Sequence, residues 1–165
     1  MRKASIMTAS HRTARADGSG SAPSRLTVLP MMRRLLAGVI GGLSGGIVFG
    51  ALMAMMGMLP MIASLAGSSS AAVGFIVHLI ISGLIGLILT IPGARLLTGG
   101  LIRSAVIGLV YGALWWVLGP LLIMPAMMGM PVLTLDGSSV MSLMGHMIYG
   151  LILGLVAHLV LRRRR

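Results

Sequence analysis

The chain contains no cysteine. Disulfides, thiolate zinc sites, iron–sulfur clusters and a cysteine nucleophile are excluded, and redox compartment cannot be read from this residue type. Acid is nearly as scarce. Asp17 and Asp136 are the only carboxylate side chains among 165 residues, so paired-carboxylate chemistry has nothing to work with. Charge of either sign makes up 9% of the sequence, against about 25% in a soluble domain. That stock cannot cover a water-facing surface. Between Leu35 and Leu161 only Arg95, Arg103 and Asp136 are charged.

What is present is apolar. Hydrophobic residues are 57% and the mean hydropathy is +1.04, in runs long enough to cross a bilayer. The pattern predicts an all-α membrane protein, with spans at about 35–58, 71–91, 101–124 and 140–161 in a transmembrane domain over 31–165. Pro60 to Ser70 reads as a first outer turn, Pro92 to Gly100 as an inner turn, and Val132 to Ser139 as a second outer loop. Ser68-Ser69-Ser70 and Gly137-Ser138-Ser139 are candidate helix caps. Gly119-Pro120 is expected to kink or end the third helix, leaving 120–131 open as helix, loop or re-entrant segment. If that helix ends at Gly119, Trp115 and Trp116 sit at the outer interface.

Residues 1–30 lack an apolar period and are expected to be a disordered basic tail. Their composition equally suits a transit peptide, or a natural start at Met31 or Met32. Arg33-Arg34 before an apolar run has the look of a secretory signal, but the run is too long for one. The formal charge of +11 sits mainly at the two ends and in the inner turn. Cations flanking apolar spans suit headgroups and topology, not nucleic acid, since no basic stripe interleaves with aromatics. Arg33, Arg34, Arg95, Arg103 and Arg162–Arg165 fall on one side. The outer segments carry no Lys or Arg, which predicts both termini in the cytoplasm of a cell with the protein in its inner (plasma) membrane.

The second span carries Gly74, His78, Ser82 and Gly86, and the fourth carries Ser142, His146, Gly150 and Gly154. Spacing of four keeps each set on one helix face. Small residues mark where helices touch in lipid, and an imidazole on the same ridge faces inward. The first span has its own ridge, Gly38, Gly42, Gly46, Gly50 and Ala54. Ile47 to Leu52 aligns with Leu109 to Leu114, bringing Gly46 and Gly50 onto Gly108 and Gly112. The expected architecture is two similar helical hairpins, related as parallel repeats and packed as a four-helix bundle with the ridges inside.

His78 lies about 10 Å below the outer surface at 1.5 Å per residue, and His146 at similar depth. The two imidazoles are expected to approach one another or share a pocket, with Tyr149 nearby. One reading is packing glue. The other is a metal, proton or substrate site. The chain has 16 methionines, most of those in the spans falling in the outer half beside the histidines. Thioether and imidazole together suit Cu(I), with His78, His146 and Met144 as the ligand set. Flexible apolar filling is the alternative. Copper is the only cofactor the residues suggest. A triad of Ser138 or Ser142 with His146 and Asp136 lacks a nucleophile-elbow motif, so no catalytic residue is expected.

The stretches Gly50 to Pro60, Gly67 to Ser70, His78, Tyr111 to Pro120 and Gly145 to Leu151 resemble a family of small prokaryotic four-span integral membrane proteins of unknown function. The resemblance covers about 32–161 and implies architecture alone. Two functional readings follow. In the first, the chain is a structural or interaction module in the bilayer, with a His/Met-lined outer-leaflet cavity. Its glycine ridges would hold a second copy or a membrane-protein partner. In the second, it is a small transporter or Cu(I)-handling protein using His78 and His146.

Overall fold

The computed structural model describes residues 30–162. The expected disorder of the tail falls outside them apart from Pro30, as do Arg163–Arg165. Five helices follow in order: α1 Met31–Met55, α2 Leu59–Ala63, α3 Ala71–Gly93, α4 Leu101–Met127 and α5 Gly137–Arg162. All but α2 are long and apolar enough to cross a membrane. The chain is an all-helical, multi-pass membrane protein.

Exposure runs opposite to that of a soluble protein. Ile76, Ile80, Leu84 and Ile88 on α3 are 54–59% exposed, whereas Gly74, His78, Ser82 and Gly86 on the same helix are buried. Only a lipid surface makes that stripe of branched apolar side chains favourable outside.

The helix ends differ from expectation where turn chemistry intervenes. α1 stops at Met55, because Gly57 takes a left-handed φ of 67° that side chains avoid. Pro60 then opens α2 inside what was expected to be a plain turn. At α5 the cap is Asp136, not the serines after it. Ser139 N–H donates to Asp136 Oδ1 at 2.8 Å, and Asp136 N–H donates to Ser139 Oγ at 2.7 Å. This reciprocal pair is a capping box with serine in the third position. Ser70 does stand at the start of α3, but its side chain makes no cap bond.

Pro120 does not end α4. The helix widens to a π-helical segment over Val117–Ile123 and continues to Met127. A wider turn accommodates the ring and the missing N–H. Trp115 and Trp116 therefore lie well inside the helix, not at its end. Trp116 Nε1 donates to Ser139 O at 2.8 Å, tying α4 to the start of α5.

α1 is the centre of the molecule. It packs on α3 and α5, and α5 packs in turn on α4. Two glycine stripes allow this. Gly38, Gly42 and Gly46 meet Gly86 and Ser82 on α3, while Gly41 and Gly45 meet Leu153 and Tyr149 on α5. A methyl group on Gly42 would strike the Ser82 carbonyl, and one on Gly45 would come 2.7 Å from the Tyr149 carbonyl. The doubled glycines Gly41-Gly42 and Gly45-Gly46 are the sequence mark of two faces at once.

The two hairpins pack alike with a one-turn difference in register. Gly38 faces Gly86 and Gly42 faces Ser82, whereas Ser104 faces Gly154, Gly108 faces Gly150, and Gly112 faces His146. Contacts thus equate Gly42 with Gly108, while the sequence match equates it with Ser104. A slide of four residues keeps the same helix face, so sterics permit either register. A polar bond at each end accompanies the observed one: Trp116 to Ser139 toward the α4–α5 loop, and His158 Nδ1 to Leu97 O at 2.6 Å toward the α3–α4 turn.

Candidate functional site: a cavity between the second and third spans

α3 and α4 occupy the two ends of the row α3–α1–α5–α4 and do not pack along their length. Tyr111 closes the gap toward the α3–α4 turn by donating its hydroxyl to Ile85 O at 2.7 Å. Toward the α4–α5 loop the gap is a cavity of about 200 Å³. Its walls are His78, Ser82 and Ile85 of α3, Trp115, Pro120 and Met124 of α4, Phe49 and Met53 of α1, and Ser142, His146 and Tyr149 of α5. Met58, Met61 and Ile62, at and around α2, line its rim.

Both histidines line this cavity, with no hydrogen bond between them among the described residues. The Phe49 ring packs at a steep angle against both, with ring centroids 5.3 Å from His78 and 4.7 Å from His146. Gly145 makes room for that ring, since a side chain there would enter it. Each imidazole has one nitrogen anchored to a backbone carbonyl. His78 Nε2 donates to Gly46 O at 3.1 Å, and His146 Nδ1 donates to Ser142 O at 2.8 Å. A carbonyl accepts only an N–H, which assigns the tautomers. His78 Nδ1 and His146 Nε2 are then lone-pair nitrogens. Neither has a hydrogen-bond partner among the described residues, and neither is fully buried. Trp115 Nε1 is buried without a partner. The depths also differ from expectation. α5 starts earlier than Val140, so His146 lies about 14 Å along its helix and His78 about 10 Å along its own.

The residues expected at the site divide into four groups. His78, His146 and Ser82 come together here. Gly42, Gly46, Gly86, Gly108, Gly112, Gly150 and Gly154 form the helix contacts. Gly50 and Gly74 serve other neighbours: Gly50 leaves room for the rings of Phe75 and His78, and Gly74 receives the Leu59 carbonyl of α2. Met144 is not brought to the histidines. It is 47% exposed and lines a separate groove with Leu109, Val140 and Met147, because it sits off the ridge that carries His146. The methionines that share the cavity with the imidazoles are Met53, Met58, Met61, Met124 and Met127.

Asp136 Oδ1 accepts bonds from Ser138 Oγ at 2.8 Å and from Ser139. These donors, the Ser139 backbone N–H foremost, hold its carboxyl below the usual carboxylate value. Its function is the cap on α5. Ser142 Oγ lies 3.4 Å from His146 Nδ1, but that nitrogen carries its proton toward the Ser142 carbonyl and cannot take another.

His158 lies in the last turns of α5. It is fully buried and bonds Leu97 O, with Ser104 Oγ 3.1 Å away. Thr90 is equally buried and donates to Arg34 O at 2.8 Å. Both were visible as the next positions, at spacing four, on the ridges of Gly86 and Gly154. Compared with protein-family models, curated proteins and solved structures, the chain matches none.

Proposed function

We propose that the protein is a binding module of the inner (plasma) membrane, with both termini cytoplasmic. Its ligand site is the cavity between α3 and α4, open to the outer side. The observation that carries this reading is the pair of uncommitted lone-pair nitrogens, on His78 and His146, exposed to one apolar cavity. Ionisable groups within a span are costly and persist where they bind something or one another. Here each imidazole is oriented by a carbonyl and packs against Phe49, with no hydrogen bond between the two among the described residues, so the arrangement favours a third party. We take the similar packing of the two hairpins as support for a duplicated hairpin. The likeness to small prokaryotic four-span membrane proteins supports the same architecture.

Orientation rests on charge. Arg33, Arg34, Arg95, Arg103 and Arg162 all cluster at the end of the bundle opposite the cavity mouth. We assign binding, not catalysis, because Ser82, Ser104 and Ser142 each face an imidazole nitrogen that already carries its proton to a backbone carbonyl.

A chain without cysteine makes the test clean. Met61→Cys and Met127→Cys at the rim, and Ser142→Cys within, are expected to react in intact cells with a small membrane-impermeant thiol reagent. Arg95→Cys is expected to react only after permeabilisation. Labelling of Arg95→Cys from outside inverts the topology. Protection of all three cavity cysteines from the outer side removes the open site.

A further inference from the structure

Beyond the first cavity, a second of about 140 Å³ lies toward the α4–α5 loop. The two adjoin: Met58, Met61, Met124, Pro120 and Ser142 belong to the walls of both. The outer one adds Met128 and Met130, with Asp136 and Thr134 at its edge. The inner one adds Met53, Met127 and the two imidazoles. Three chain segments supply these thioethers: the end of α1, α2 with its approach, and the far end of α4. Only the tertiary fold brings them onto one path.

We propose that this path is a binding route for a soft monovalent cation, Cu(I), entering over thioether sulfurs and held at the imidazole end. The inference rests on the outward-open cavity proposed above and names its ligand class. The donor chemistry decides among cations. Sodium, magnesium and calcium require several oxygen ligands. The lining offers hydroxyls and one carboxylate, and that carboxylate is occupied by Ser138 and Ser139 in the cap. Zinc favours a tetrahedral set of thiolate, imidazole and carboxylate. The chain has no thiolate, and Asp136, the carboxylate of the lining, is held in the cap. Thioether sulfur with a neutral imidazole nitrogen is a soft, low-charge set that suits Cu(I) or Ag(I). The lone pairs at His78 Nδ1 and His146 Nε2 are free for it without breaking either anchoring bond. Asp136 contributes negative charge at the entrance.

Filler methionine predicts the same packing but a different response to substitution. Leucine conserves volume and removes only the sulfur. The test is a Cu(I) titration of the purified full-length chain against a chromophoric competitor under reducing conditions. It compares wild type, a variant with Met53, Met58, Met61 and Met124 all changed to Leu, a His78→Ala/His146→Ala variant, and Met144→Leu. Thermal unfolding of each confirms that it is folded. Wild type and Met144→Leu are expected to bind Cu(I) alike, with the other two at least about tenfold weaker. X-ray absorption of the loaded wild type is expected to show both sulfur and nitrogen neighbours. Near-zero loading of wild type, equal loading in wild type and the four-methionine variant, or a metal shell without sulfur each overturns the proposal. Failure here with labelled cavity cysteines retains the open site and removes only the metal, whereas protected cysteines remove both.

Discussion

Tyr149 donates its hydroxyl to the carbonyl of Ser82 at 2.6 Å, so α5 is bonded directly to α3 across the helix that separates them. Both residues are buried, and both line the cavity. The bond links one hairpin to the other beneath the two imidazoles. It works with Tyr111 to Ile85 to set the width of the gap between α3 and α4.

Tyr149→Phe keeps the ring and deletes the bond. Interhelical hydrogen bonds in lipid average about 0.6 kcal/mol, with a maximum near ~1.7. A loss in that range is expected in reversible unfolding from detergent micelles. Tyr111→Phe should cost a similar amount. A double variant that loses no more than either single one would show that the two bonds do not act independently across the gap.

Glycine positions separate contact from mere helix membership. Gly42→Ala is expected to destabilise by about 1–3 kcal/mol, as overpacking does, because the new methyl meets the Ser82 carbonyl. Gly83→Ala is the control. Its nearest neighbour would be a Leu43 methyl at 4.0 Å, and helix propensity favours alanine by up to about 1 kcal/mol. Opposite signs for these two unfolding shifts are the expected outcome.

His158→Leu is expected to cost about 0.5–1.5 kcal/mol, the net worth of one hydrogen bond, since Leu97 O keeps the Ser104 hydroxyl at 2.8 Å. The effect should be local. Hydrogen exchange over Leu96–Ser104 is expected to quicken while the end of the bundle that holds the cavity keeps its protection. Uniform loss of protection would argue that the His158 bond governs the whole bundle.

The cap on α5 gives a pH dependence with a definite sign. The Ser139 N–H, with the Ser138 and Ser139 hydroxyls, lowers the Asp136 pKa from its ordinary 3.8. A group depressed on folding contributes stability that is present above its unfolded pKa and lost as pH falls through the folded one. The first turn of α5 is therefore expected to fray below about pH 4, seen as faster exchange at Ser139 and Val140. Asp136→Asn should abolish that dependence while retaining part of the cap.

Much of the arrangement was legible in the residues. Spacing of four set His78 and His146 inward, and the scarcity of charge required a lipid environment. The spans were placed to within a few residues. The misses arose where one sequence feature admits two outcomes. Pro120 was open between kink and end, and the widened turn let α4 run on and draw Trp115 to the cavity wall. Spacing of four permits any whole-turn slide, so the match of Gly42 to Ser104 did not predict its contact partner. Met144 looked like a ligand because it precedes His146 closely, yet two residues on a helix put it well round the surface. Phe49 carried no signal of packing against both imidazoles, since its position depends on which helix occupies the centre.

The amino-acid order alone determined that four apolar helices cross a bilayer, which faces of them touch, and that Arg33, Arg34, Arg95, Arg103 and Arg162 lie at one end. These follow from period, residue size and charge, which act locally along each helix. Tertiary structure alone decided that α1 is central, that α3 and α4 are held apart, and that methionines from three segments line one path to the histidines. Each of those depends on which helix neighbours which, a choice made by bonds such as Tyr149 to Ser82 between residues far apart in the chain.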